Sequence, residues 1–275
     1  MFNAPSIGRP KVLITTSPFS FFRFAEKHQN SLPLKRIFSI MRKQNVASLV
    51  EETIHPNDEF SQEIQALEKK LSSELTNNNI IRLTFFNIDI KKFGIENVHN
   101  RHCLGSVIFR VSRFANGKKV KNVYEAVIRQ RRLINNYVHC FAKYQIKCLN
   151  KNFNIKASYF CQQNSITNVC AHASLKMISH CFKKLNVKPF NYEEINKIIT
   201  KEFKNSKPEE GLTVEQIAKI LKTTDLEIKG HCYEKKKVPP YEFQQLIYSA
   251  VESGFPALLA FKTLGNEGHI VPVIG

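Results

Sequence analysis

Cys170 is the residue whose type and surroundings point most clearly to chemistry. It opens a segment of helical apolar spacing, with Gln162 and Gln163 a short loop upstream and His269 far downstream. A thiolate at a helix start is favoured by the partial positive charge and free N–H groups of the first turn. A side-chain amide beside the backbone N–H of such a residue is suited to hold an oxyanion. The pattern indicates acyl transfer, most simply amide hydrolysis, with Cys170 as the nucleophile.

Two histidines are candidates for the base that activates this thiol. His172 lies two residues after Cys170, so on a helix the two side chains point to roughly opposite sides. His269 follows a glycine-containing turn and begins a predicted strand, from which it can reach a helix N-terminus across a cleft. We therefore expect His269 to be the base and His172 to be a packed or surface residue. Gln163 is the first candidate for the oxyanion hole, and Gln162 is the second.

The elements that position these residues follow from apolar periodicity and capping signals. Apolar residues recur at 171, 175, 178, 182 and 185, which predicts a helix that begins near Cys170. Further helices are predicted over 191–199, from the capping box at Thr213, and over 241–253. The expected buried face of the last helix consists of Phe243, Leu246, Ile247, Ala250 and Val251. Strands are predicted over 226–233, 257–261 and 269–274.

The first half of the chain is predicted to be mixed α/β. Strands are expected over 80–90, 104–111 and 120–128, and Asn116-Gly117 between the last two is a hairpin signal. Apolar spacing predicts a helix over 57–75. The pattern of 129–152 does not decide between a helix and strands.

Around these residues the sequence resembles the papain-like cysteine peptidases, and among them the bacterial group similar to double-glycine leader peptidases. The resemblance covers about residues 159–275. It implies an α+β fold, in which a helical half opened by the nucleophile helix is joined to an antiparallel sheet that carries the histidine. It also implies Cys170 as nucleophile, His269 as base and an upstream Gln in the oxyanion hole. The segments that carry it are Gln162-Gln163, Cys170 to Ser174, Gly211-Leu212-Thr213, Gln216-Ile217, Ser253 to Pro256 and Gly268-His269.

One part of the family pattern is missing from this sequence. The third family residue, an Asp or Asn on the strand after the histidine, would lie beyond Gly275, which is six residues past His269. We therefore expect residues 151–275 to be a C-terminally truncated papain-like domain, inactive or weakened as this fragment. Residues 1–150 are expected to form a basic, mixed α/β region without an assignable function.

The charge of the chain is concentrated in one stretch. The formal net charge is +18, and thirteen Lys and Arg but only one acid, Glu125, lie between Arg101 and Ser158. Such a stretch can form a surface for nucleic acid or another polyanion. It can equally be a solvated face in a Lys- and Asn-rich proteome, and the aromatic residues within it fit a core.

Cysteine usage and hydropathy bound the remaining possibilities. Seven cysteines at irregular spacing argue against a disulfide framework. A zinc site is disfavoured because its candidate ligands lack C-x-x-C or H-x3-H spacing, so we expect no metal and no cofactor. The candidate zinc ligands are Cys161, Cys170, His172, His180 and Cys181.

The chain has neither a run of 18 apolar residues nor a signal-peptide core, so we expect no membrane span and a cytoplasmic location.

Three functions stay open on the sequence alone. The first is a thiol-dependent peptidase that acts on a peptide or protein. The second is a non-catalytic papain-fold module that binds a peptide or partner. The third is a basic protein that binds nucleic acid through residues 101–158. The sequence specifies neither the substrate nor the oligomeric state.

Overall fold

The chain folds into two compact units in the computed structural model. The first unit comprises residues 1–131 and 143–162, and the second comprises 132–142 and 163–275. The structure describes residues 11–14, 18–28, 30–54, 75–114, 119–129, 142–162, 170–204, 206–207, 211–233, 240–262 and 268–274. Both units combine helices with antiparallel strands, which confirms the predicted α+β class.

The first unit is built on a seven-stranded sheet with the order β1-β2-β3-β4-β5-β7-β6. Pairing is antiparallel for β1–β2, β2–β3, β3–β4, β4–β5 and β5–β7. The strands are β1 (Lys11–Ile14), β2 (Ser48–Ile54), β3 (Leu75–Phe86), β4 (Cys103–Phe114), β5 (Lys119–Arg129), β6 (Ala142–Cys148) and β7 (Lys151–Phe160).

The predicted hairpin around residues 116–117 is confirmed by the pairing of β4 with β5, although the turn itself lies outside the described residues. Gly105 is required in this pair because its φ is +145° and an added Cβ would lie 2.3 Å from the Val127 carbonyl oxygen. The predicted strand over 80–90 is confirmed as β3, which begins earlier and ends at Phe86. Residues 57–74 of the predicted helix lie outside the described part of the chain, and Leu75 begins β3.

Two helices cover one face of this sheet. They are α1 (Pro18–Glu26) and α2 (Leu32–Lys43). Their apolar side chains pack on β2 to β5 in one continuous core that includes Leu34, Phe38 and Phe85. His28 is buried among aromatic rings in the same region, 5.1 Å from Phe24 between ring centroids.

The segment that the sequence left undecided contains two strands. Buried and exposed residues alternate along both β6 and β7, as expected for strands with one buried face. Because β7 pairs with β5 from Ala126 to Arg129, it belongs to the first unit. The first unit therefore extends through Gln162, while residues 132–142 belong to the second unit.

The β6–β7 turn is tied to the start of the sheet, so the sheet curls. The Arg82 Nη1 atom donates to the Lys147 carbonyl at 3.0 Å, and the Leu149 N–H donates to the Glu52 carboxylate at 3.1 Å. Glu52 and Arg82 also form an ion pair at 3.8 Å. These bonds join β2 and β3 to a turn that is distant from them in sequence.

The second unit contains three helices whose first residues the sequence predicted. The helix α4 (Cys170–Cys181) is followed by a 3-10 turn, and α5 (Tyr192–Glu202) and α6 (Val214–Lys222) each begin at a complete capping box. The short α3 (Ile90–Phe93) belongs to the first unit. Strands β8 (Ala257–Lys262) and β9 (Gly268–Val273) pair antiparallel, which confirms the two predicted C-terminal strands.

Two expectations for the second unit are wrong. Residues 226–233 form no strand. The helix α7 (Pro240–Glu252) exists as predicted, but none of its described side chains is buried. Of the expected buried face, Phe243, Ile247, Ala250 and Val251 are half-buried and Leu246 is exposed. Among the helices in the described part of the chain, none is long and apolar enough to cross a membrane.

Candidate active site

Cys170 is the first residue of α4 and is half-buried. It lies against an apolar cluster formed by Leu175, Ile195, Ile217 and their neighbours. A thiol in the first helical turn lies beside backbone N–H groups that have no partner within the helix. The capping residues expected at 167 and 168 lie outside the described residues. The predicted helix start near Cys170 is thus confirmed, and the role of Cys170 as nucleophile stays a prediction.

A buried hydrogen bond joins α4 to β9. The Ser174 hydroxyl donates to the Ile270 carbonyl oxygen at 3.0 Å, and both residues are buried. Ser174 lies four residues after Cys170, so the two side chains share one face of the helix. The Ile270 side chain packs in the same apolar cluster as Leu175. The helix that begins with Cys170 is therefore fixed to the strand that carries His269.

His269 is the second residue of β9 and directly precedes Ile270. Its ring lies against Phe261, its cross-strand partner in β8, with 5.5 Å between ring centroids. His269 is partly exposed, whereas Ile270 is buried. His269 thus lies at the start of a strand, as the sequence predicted, and it directly precedes the residue whose carbonyl oxygen anchors α4.

The two Gln candidates for the oxyanion hole differ in what the structure describes. Gln163 lies outside the described residues. Gln162 continues the sheet of the first unit, where its N–H donates to the Val123 carbonyl and its Oε1 atom accepts from the Val123 N–H, both at 2.9 Å. The Gln162 side chain therefore has a structural partner in the first unit, and Gln163 remains the candidate.

His172 is a packed helix residue. It is buried, its Nε2 atom lies 2.9 Å from Asn196 Oδ1, and its ring stacks on Tyr192 at 4.6 Å between centroids. Burial lowers the pKa of His172, against the opposing effect of the Asn196 hydrogen bond. These contacts account for His172 without a role in proton transfer.

The cysteines differ in their access to solvent. Cys103 and Cys148 are buried in the first unit, and burial raises the pKa of each thiol to about 12. Cys232 is exposed, and Cys170 is intermediate between these extremes. Within the described residues, no group of three or more His, Cys, Asp or Glu is placed to hold a metal ion.

The sequence analysis named Cys170 and His269 but missed Ser174. The available signal was a small polar residue four positions after Cys170, on the apolar face of its helix. Comparison of the chain with protein-family models, curated protein sequences and solved structures found no match.

Proposed function

We propose that this protein is a thiol-dependent peptidase of the papain-like type, with Cys170 as nucleophile and His269 as base. One observation carries the proposal. Ser174, one turn after Cys170, is hydrogen-bonded to Ile270, the residue directly after His269. The bond joins the helix that begins with Cys170 to the strand that contains His269, although 96 residues separate Ser174 from Ile270 in sequence.

The reaction follows from the chemistry of these groups. The imidazole of His269 takes the thiol proton, and the Cys170 sulfur attacks the carbonyl carbon of a peptide bond. The oxyanion is held by the backbone N–H of Cys170 and, in our proposal, by the Gln163 amide. The C–N bond then breaks as the leaving amine takes the proton from the imidazolium. Water, deprotonated by His269, hydrolyses the thioester and restores the free thiol.

Peptide cleavage is the direct test of this function. A synthetic peptide mixture is incubated with the protein, and new fragments are identified by mass spectrometry. We expect fragments with the wild-type chain and with Cys232→Ala, in which an exposed thiol of the same unit is removed. Cys170→Ala and His269→Ala should each lower the rate by at least about 100-fold, because each removes a reacting group. Fragments that form equally fast with Cys170→Ala would contradict the proposal.

A non-catalytic papain-fold module is the second candidate, and the surface of the second unit favours it. Large apolar side chains are exposed on α7 and next to it, and exposed apolar patches mark interaction sites. A chain that cleaves no peptide and whose Cys170 is inert would support this candidate. The exposed side chains are Tyr241, Leu246, Tyr248, Phe255 and Phe261.

A further inference from the structure

The two strands β6 and β7 of the first unit present one polar face to solvent. Their buried residues, such as Tyr144, Ile146 and Phe153, alternate with exposed ones. Since successive strand residues point to opposite sides, the exposed residues of the two neighbouring strands share a face. Every side chain on this face has N–H donors and none is a carboxylate. These exposed residues are Lys143, Gln145, Lys147, Asn152, Asn154 and Lys156.

Protection of a sheet edge does not account for this composition. Within the described strands, β6 is at the end of the sheet order, and Lys on an edge strand discourages pairing with other chains. Lys156 and Asn154, however, lie on β7, the second strand from this end of the sheet order, and the Asn154 N–H is bonded to Asn100. In the described residues, β7 pairs with β5 from Ala157 to Phe160. The polar face therefore continues inward from the edge.

A neighbouring 3-10 turn, Asn100–His102, extends the face. The Asn154 N–H donates to the Asn100 side-chain oxygen at 3.1 Å, and Arg129 Nη2 donates to the Asn100 carbonyl at 2.6 Å. Both bonds fix Asn100 beside β7. The next residue, Arg101, is exposed, so its guanidinium adds to the positive charge at this side of the unit.

The electrostatic potential near this turn is positive. Burial lowers the pKa of His102, and the positive charges of Arg101, His99 and Arg129 lower it further. The carboxylate of Glu52, which accepts from the Leu149 N–H in the β6–β7 turn, is paired with Arg82. Glu96 is an exposed acidic residue of this region, and its backbone carbonyl accepts a hydrogen bond from Lys151 Nζ. Basic side chains thus outnumber acidic ones around β6 and β7.

We propose that the solvent face of β6–β7, together with Arg101, binds the phosphodiester backbone of a nucleic acid. Lysine side chains neutralise phosphates and release their counterions, and the amides between them can hydrogen-bond to phosphate or base edges. A two-stranded ribbon also fits the major groove of a DNA duplex. The exposed face has no apolar side chain to insert into a lipid surface. The binding needs no thiol chemistry and does not rest on the proposed peptidase function.

Fluorescence anisotropy with a labelled DNA duplex of about 20 base pairs tests this proposal, at salt concentrations between about 50 and about 200 mM. The test variant combines Lys143→Gln, Lys147→Gln and Lys156→Gln. The control combines Lys27→Gln, Lys35→Gln and Lys43→Gln, which remove the same charge from exposed positions in the helical part of the unit. Circular dichroism checks that both variants are folded. The same measurement with one strand of the duplex shows which form the face prefers.

The expected result is a change in the salt dependence of binding. The slope of log Kobs against log salt should become shallower by about 2 to 3 in the test variant, since each lysine–phosphate contact contributes about 0.9. The control should keep the wild-type slope. Tighter binding of the single strand would assign the face to unpaired nucleic acid and would also support the proposal. Equal changes in both variants, or no wild-type binding at low salt, would overturn it.

Discussion

At the scale of single residues, the proposed active site depends on the positions of three side chains of the second unit. Cys170 and His269 lie on the elements that the sequence predicted, because a helix start and a strand start are local features. Ser174 could not be assigned a role in advance, since its partner Ile270 is distant in sequence. The environment of Gln163 stays a prediction because that residue lies outside the described part of the chain.

Ser174 is expected to position the helix of Cys170 against the strand of His269. Ser174→Ala removes the donor to the Ile270 carbonyl and leaves that buried oxygen without this bond, which should lower the free energy of unfolding by about 1 to 3 kcal/mol. It should also reduce the influence of His269 on the reactivity of Cys170. The measurement is the rate of Cys170 alkylation in four proteins: wild type, Ser174→Ala, His269→Ala and the double variant.

Ser179→Ala is the matched control for this cycle. Ser179 is equally buried in α4, but its hydroxyl donates to the Lys176 carbonyl and accepts from the Phe190 N–H. Its loss should cost similar stability and leave the effect of His269 on Cys170 unchanged. If the His269 effect is as large in the Ser174→Ala background as in wild type, Ser174 has only a structural role.

At the scale of helices and strands, local sequence signals predicted where an element lies better than which of its side chains are buried. The capping boxes at Asn191 and Thr213 define helix starts through contacts within four residues, so they were readable from the sequence. The burial of a stripe depends on distant elements. The apolar stripe of α7 therefore predicted the helix, while the incomplete burial of that stripe could not be predicted.

Gly105 is the residue on which the β4–β5 pair depends most. Gly105→Ala would place a Cβ 2.3 Å from the Val127 carbonyl oxygen at a φ of +145°. We expect it to lower the free energy of unfolding by at least about 3 kcal/mol, through the clash and the strained backbone. Urea unfolding measures this loss. Gly230→Ala is the control, because nothing lies within 4 Å of its added Cβ, and a similar loss there would contradict the reasoning.

At the scale of the whole molecule, the chain comprises two compact units and the charge lies largely in one of them. The concentration of basic residues over 101–158 was visible in the sequence. Their arrangement on one face of β6 and β7 became clear only from the alternation of buried and exposed residues along these strands. The pairing of β7 with β5 joins residues 151–160 to the sheet of the first unit. A strand pattern can be read locally, but the partner of the strand cannot.

The first unit should lose stability in mild acid through His28. Burial, and then the charges of Lys121 and Lys27, lower the pKa of His28 from 6.5 to about 4. The unfolded chain therefore binds this proton more readily, so the contribution of His28 is complete above about pH 6.5 and is lost as the pH falls toward 4. The loss should be about 2 to 3 kcal/mol between pH 7 and 4.5.

Urea unfolding of the wild type, His28→Phe and His231→Gln as a function of pH measures this contribution. His28→Phe keeps a ring in the aromatic cluster and removes the titrating group, so its stability should fall less steeply in acid. His231 is exposed, and its replacement should leave the dependence as in wild type. Identical pH dependence in all three proteins would exclude His28 as the cause.

Cys170 and His269 are proposed to act as a catalytic pair, and alkylation of the thiols by iodoacetamide as a function of pH tests this pairing. Peptide mapping gives the rate for each cysteine. We predict that Cys170 is modified at mildly acidic pH, before exposed Cys232 and long before buried Cys103 and Cys148. In His269→Ala, the modification of Cys170 should require a higher pH. If Cys170 reacts no earlier than Cys232 and His269→Ala leaves its pH profile unchanged, the two residues do not form a catalytic pair.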